Sequence, residues 1–115
     1  MSGWQAQPCR SYLGSMQPDR ASLEQRWLAL IRDTLPALAA ARRWPVRHDH
    51  CFARILLDQV CGGRWYDYVA GRPAYRHLPE PKLRAAITLA ESVAAGTADL
   101  HALNRASLAW RAVKS

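Results

Sequence analysis

Two stretches of this chain carry apolar residues at helical spacing, and they limit the folds open to it. Leu23, Trp27, Leu30, Ile31, Leu35 and Leu38 fall at i, +4, +7, +8, +12 and +15, and Leu83, Ala86, Ile87, Ala90 and Val93 form a second stripe. Such spacing gathers the side chains on one face of a 3.6-residue helix. The alternation that marks a half-buried strand runs for more than a few residues only over 44–50.

Prolines and glycines divide the rest. Pro36 lies inside the first stripe and predicts a kink or restart near Thr34, because proline removes a helical hydrogen bond and crowds the preceding turn. Pro45 biases Trp44 toward extended backbone. Asp49 suits the N-cap of a helix carrying Phe52, Ile55, Leu56 and Val60 inward, and Gly62-Gly63 stops it. Short helical pieces are expected over 64–70 and 73–78. Gly96 closes the second stripe, and Thr97 suits the cap of a last helix through Leu100, Leu103 and Leu108 to about Ala112. The expected fold is all-α: a small single-domain bundle of about four main helices with short helical connectors. Residues 1–20, with Gly3, Pro8, Gly14 and Pro18 and no sustained periodicity, read as a loosely ordered N-terminal arm. Residues 21–115 read as the helical domain, with Ser22 a candidate N-cap of its first helix.

No apolar run approaches the length of a bilayer span, so no membrane partner is expected. The chain start lacks a charged segment followed by an apolar core, which argues against a secretory signal. Cys9, Cys51 and Cys61, odd in number, do not form a disulfide framework. Reduced thiols and a cytoplasmic location are the expectation. The net charge is +7, built from fourteen arginines and two lysines. A basic chain is drawn to polyanions, and arginine's planar fork both grips phosphate and stacks on bases.

Residues 44–58 gather His48, His50, Cys51, Asp49, Asp58, Arg47, Arg54 and Trp44. If 44–50 is extended, Trp44, Val46, His48 and His50 share one side. Two imidazoles at i and i+2, with the Cys51 thiolate from the next turn, make a candidate zinc or iron site. Asp58, Cys61, His77 or His101 would complete the ligand set. The same residues offer a nucleophile reading, with Cys51 activated by a histidine that Asp49 or Asp58 orients. Against both stands a structural corner in which the histidines hydrogen-bond the helix entry. Arg54 and Asp58, four apart, are expected as a surface pair on one helix face; a sharper reading has Arg54 and Arg47 forming an anion pocket.

Farther along, Arg64, Trp65, Tyr66 and Tyr68, then Arg72, Tyr75, Arg76 and His77, interleave guanidinium groups with rings. Rings stack on unpaired bases while arginines hold phosphates. Core packing competes for Trp65 and Tyr68. The last two helices also admit a helix-turn-helix reading, with His101, Asn104, Arg105 and Arg111 on polar positions of the second. Five tryptophans are more than a small core readily hides, so Trp4 or Trp110 would mark a protein partner surface.

The leading functional expectation is a small basic module binding an anionic partner, nucleic acid above other polyanions. Arg47, Arg54, Arg64, Arg72 and Arg76 would supply charge, and Trp44, Tyr66 or Tyr75 the stacking surface. The first alternative is a metal protein or enzyme with catalytic candidates His48, His50, Cys51 and Asp58. The second is a protein–protein interaction module.

Overall fold

Asp19 opens the helical part of the chain. Its carboxylate accepts a hydrogen bond from the Ser22 amide at 2.8 Å, which holds the Asp19 pKa below its ordinary value. The computed structural model describes residues 19–112. Helix α1 (Arg20–Ala29) therefore begins just inside the expected arm, capped by Asp19 rather than Ser22. The remainder of that arm, with Trp4 and Cys9, lies outside the described residues.

The proline in the first stripe does not break the helix. A π turn over Leu30–Thr34 follows α1, and α2 (Leu35–Ala39) follows that, with Pro36 in its first turn. In the π turn the Leu35 amide reaches back five residues to the Leu30 carbonyl. The wider turn accommodates an imino residue that can neither donate nor sit under a normal α turn. Of the kink or restart expected near Thr34, the structure shows a restart, with α-helix resuming at Leu35 after the π turn.

Helix α3 (Asp49–Cys61) starts one residue earlier than expected: His48, not Asp49, holds the extended cap conformation, and Asp49 is the first helical residue. Gly62 ends the helix at φ +75°, the left-handed geometry expected of it. A 3-10 turn (Trp65–Asp67) and the short α4 (Ala74–His77) form the connector. Helix α5 (Glu80–Ala95) ends on Gly96 at φ +86°. Helix α6 (Leu100–Ala112) is capped by Asp99, whose carboxylate accepts from the His101 and Ala102 amides. Thr97, expected in that role, instead donates its hydroxyl to the Ser92 carbonyl and so fastens the end of α5.

The architecture is all-α, with no strand among the described residues. Helix α5 packs on α1 and α3, and α3 packs in turn on α6. The core forms where their stripes meet: Trp27, Leu35, Phe52, Ile55, Leu56, Leu83, Ala90 and Leu100 are all sealed from solvent. Trp44, extended ahead of α3, is buried edge-on against Phe52 with centroids 5.7 Å apart. It belongs to the core and offers no stacking surface. Tyr68 shows the reverse error: expected inside, it is 61% exposed, because the chain turns through only three 3-10 residues and leaves no helical face to bury it. No helix of the described residues is long and apolar enough to cross a membrane.

Candidate functional site

The polar residues of α3 divide between two surroundings. Asp58 points inward and is fully buried. Its Oδ2 accepts from the Ser107 hydroxyl at 2.7 Å and from Arg111 Nε at 2.9 Å. Its Oδ1 accepts from Arg111 Nη2 at 3.1 Å and from the Trp65 amide at 2.9 Å. One carboxylate thus joins α3, α6 and the connector, and the two-pronged Arg111 contact is the strong form of such a pair. The expected surface pair between Arg54 and Asp58 does not form: Asp58 turns to α6, where Arg111 meets it.

Arg54, one turn earlier, also reaches α6. Its Nη1 donates to Ser107 Oγ at 2.8 Å and its Nη2 to Asn104 Oδ1 at 2.9 Å. Ser107 links the two clusters, accepting from Arg54 while donating to Asp58. Of the two guanidinium groups only Arg111 meets the carboxylate, and Arg54 makes no ion pair among the described residues. Of the four side chains in the helix-turn-helix reading of α6, buried Asn104 and ion-paired Arg111 are spent inside the fold, while His101 and Arg105 are exposed. Sequence reasoning missed the network, although it left a signal. Leu100, Asn104, Ser107 and Arg111 recur at +4, +7 and +11, placing polar groups on the buried stripe of a helix.

Beside Arg54 opens a cleft with a volume of about 500 Å³. Leu28, Ile31, Ala53 and Leu57 form its floor, and Trp65, Pro73, Ala74 and Tyr75 a wall; Arg32, Asp49, His50, Arg54 and Arg72 bring the polar groups. The wall is anchored by Arg20, whose Nη2 donates to the Tyr75 and Leu78 carbonyls, each at 2.7 Å. Arg32 and Asp49 face each other at 3.8 Å. Guanidinium groups lie over the connector's rings: Arg72 over Trp65 at 5.1 Å, Arg76 over Tyr75 at 5.9 Å, and both Arg64 and Arg111 over Tyr66 at 5.7 and 5.2 Å. Arg64 also pairs with Asp67 at 2.8 Å, the main cause that holds its pKa above the ordinary value.

Of the expected ligand-binding residues, Arg54, Arg72 and Tyr75 line the cleft. Arg64, Tyr66 and Arg76 belong to the adjoining connector. Arg47 is exposed ahead of α3 and is not among the cleft residues. Residues missed at the sequence level are those that shape the cavity, Leu28, Ile31, Arg32 and Ala53, because nothing in a helical stripe tells which of its members face a gap.

The histidine corner differs from its expected form. The extended run ends at His48, and His50 sits in the first turn of α3. Their exposed rings nevertheless stack, nearly parallel, with centroids 5.6 Å apart. Among the described residues no three His, Cys, Asp or Glu side chains come together as a metal-binding group. Cys51 is half-buried, and Cys61 is buried at the other end of α3. Burial, the main cause, pushes the Cys61 thiol up; Lys82 opposes this and Asp58 adds to it. Comparison with protein-family models, curated proteins and solved structures finds no match for this chain.

Proposed function

We propose that this chain is a non-catalytic helical module that binds an anionic partner, and that the partner is single-stranded nucleic acid. The observation that carries this reading is the set of guanidinium groups stacked on the rings of the connector. Arg72 and Arg76 lie over Trp65 and Tyr75 and make no ion pair among the described residues. A guanidinium held against a ring face keeps its edge open to phosphate, and such stacking orders the side chain before the anion arrives. Tyr66, 43% exposed, offers ring surface beside them for a base. The net charge of +7 draws a polyanion toward the molecule from a distance.

Fluorescence anisotropy with a labelled single-stranded oligonucleotide tests the proposal across a salt series. If Arg54, Arg72 and Arg76 each neutralise one phosphate, log K falls against log salt with a slope of about −2, roughly a 20-fold loss of affinity between 50 and 200 mM salt. Arg72→Gln with Arg76→Gln should flatten the slope by about two phosphates' worth. Undetectable binding at low salt, or affinity that does not change with salt, refutes it.

A further inference from the structure

We propose that the cleft between α1, α3 and the connector is a binding site for a small amphipathic carboxylate. Its apolar body would rest on Leu57 and Trp65, and its carboxylate would meet Arg54 and Arg72. The inference goes beyond the nucleic-acid reading and does not depend on it. Leu28, Ile31, Ala53 and Leu57 give the cleft a floor without any side-chain hydrogen-bonding group. A base has polar edges to satisfy, and such a floor leaves them unpaired. An aliphatic or aromatic body has none.

The charge at the rim selects the other end of the ligand. Arg111 occupies both oxygens of Asp58, so the second guanidinium of the network, Arg54, is left on the neutral oxygens of Ser107 and Asn104. A guanidinium carries five N–H donors, and Arg54 uses two of them in these bonds. Arg72 adds a second cation unpaired among the described residues, placed over Trp65. Asp49 is the cleft's only carboxylate among the described residues, and it faces Arg32. A mostly apolar cleft with a few convergent polar groups is the usual form of a small-ligand site, and about 500 Å³ lies within its usual size range.

The probe is naphthalene-2-carboxylate, with the isosteric, neutral naphthalene-2-carboxamide and with acetate as controls. Titration is followed by amide and indole resonances of the isotopically labelled full chain. The carboxylate should bind with a Kd of about 1 mM or tighter, the scale set by its small number of heavy atoms. Shifts should centre on Ile31, Ala53, Leu57 and the Trp65 indole. Arg72→Gln, an exposed change that leaves the fold alone, should weaken the carboxylate at least about fivefold and leave the carboxamide unaffected. Ala53→Phe, which fills the floor, should abolish both if it folds. Equal binding of carboxylate and carboxamide, shifts that avoid the cleft, or no saturation of the carboxylate overturns the proposal. Oligonucleotide binding can persist in each of those outcomes, so the two readings fail separately.

Discussion

Replacing Asp58 with asparagine keeps the shape of the side chain and removes its charge at the most heavily bonded point of the interior. The carboxylate accepts four hydrogen bonds, from Ser107, from Arg111 twice and from the Trp65 amide. An amide has one accepting oxygen and one donating nitrogen. With its oxygen toward Trp65, the nitrogen confronts Arg111 Nε; turned round, it confronts the Trp65 amide. Either orientation sets donor against donor in a site sealed from water. Breaking one partner of a buried pair costs about 3–5 kcal/mol. Arg111 is 26% exposed and can recover hydration, which shifts the cost downward from that range to about 2–4 kcal/mol. For a domain of this size that lowers Tm by about 10–20 °C. Thermal and urea unfolding followed by circular dichroism measure the change. Asp67→Asn is the control, because the Arg64–Asp67 pair is solvent-exposed on the Asp67 side and should be worth less than about 1 kcal/mol. An Asp58→Asn protein within about 0.5 kcal/mol of the parent would refute the view that this carboxylate holds α3, α6 and the connector together.

Cysteine, arginine and glycine positions elsewhere in the fold give further expected outcomes. Because burial raises the Cys61 thiol pKa, the folded state favours the neutral form: the contribution is present below the ordinary thiol pKa of about 8.5 and is lost as pH rises past it. Iodoacetamide treatment with peptide mass mapping should therefore label Cys51 faster than Cys61 at pH 8, and stability should fall more steeply above pH 9 than in Cys61→Ala. Arg20→Ala removes both carbonyl contacts that anchor the cleft wall, costing about 2 kcal/mol in chemical unfolding and speeding amide exchange over 74–78. Gly62→Ala meets open space at φ +75° and should cost about 1 kcal/mol from backbone strain alone. Gly71→Ala should cost more in the same unfolding assay, since φ is +112° there and an added Cβ would lie 2.9 Å from the His77 ring.

The helices were legible in the sequence where an unbroken period met a strong terminator. Leu83 to Val93 closed by Gly96, and Phe52 to Val60 closed by Gly62, needed no tertiary information. Caps were less legible: Asp19 and Asp99 each took a helix start expected of a neighbouring Ser or Thr, because several oxygens within a few residues all suit a cap and only the path of the chain selects among them. The candidate site was visible only in part. Arg54, Arg72 and Tyr75 stand out by chemistry, and they do line one cleft with His50. What spacing could not give was the partner choice of Asp58. Arg54 is four residues away and Arg111 fifty-three, and only the packing of α6 on α3 brings the distant one into contact. Trp44 and Tyr68 exchanged expected roles for a similar reason, since outside a regular helix the burial of a ring depends on where the loop lies.

If the connector's arginines and rings, with the adjoining end of α3, make up one anion-binding face, a ligand should find that face and no other. A residue-resolved amide titration of the full chain with a short single-stranded oligonucleotide at low salt decides the matter. The largest shifts should fall on 50–54 and 64–76 and fade as salt is raised. Shifts concentrated instead around Arg42, Gly96 and His101, on the separate cavity at the ends of α5 and α6, or spread evenly over the surface, would show that no such face exists.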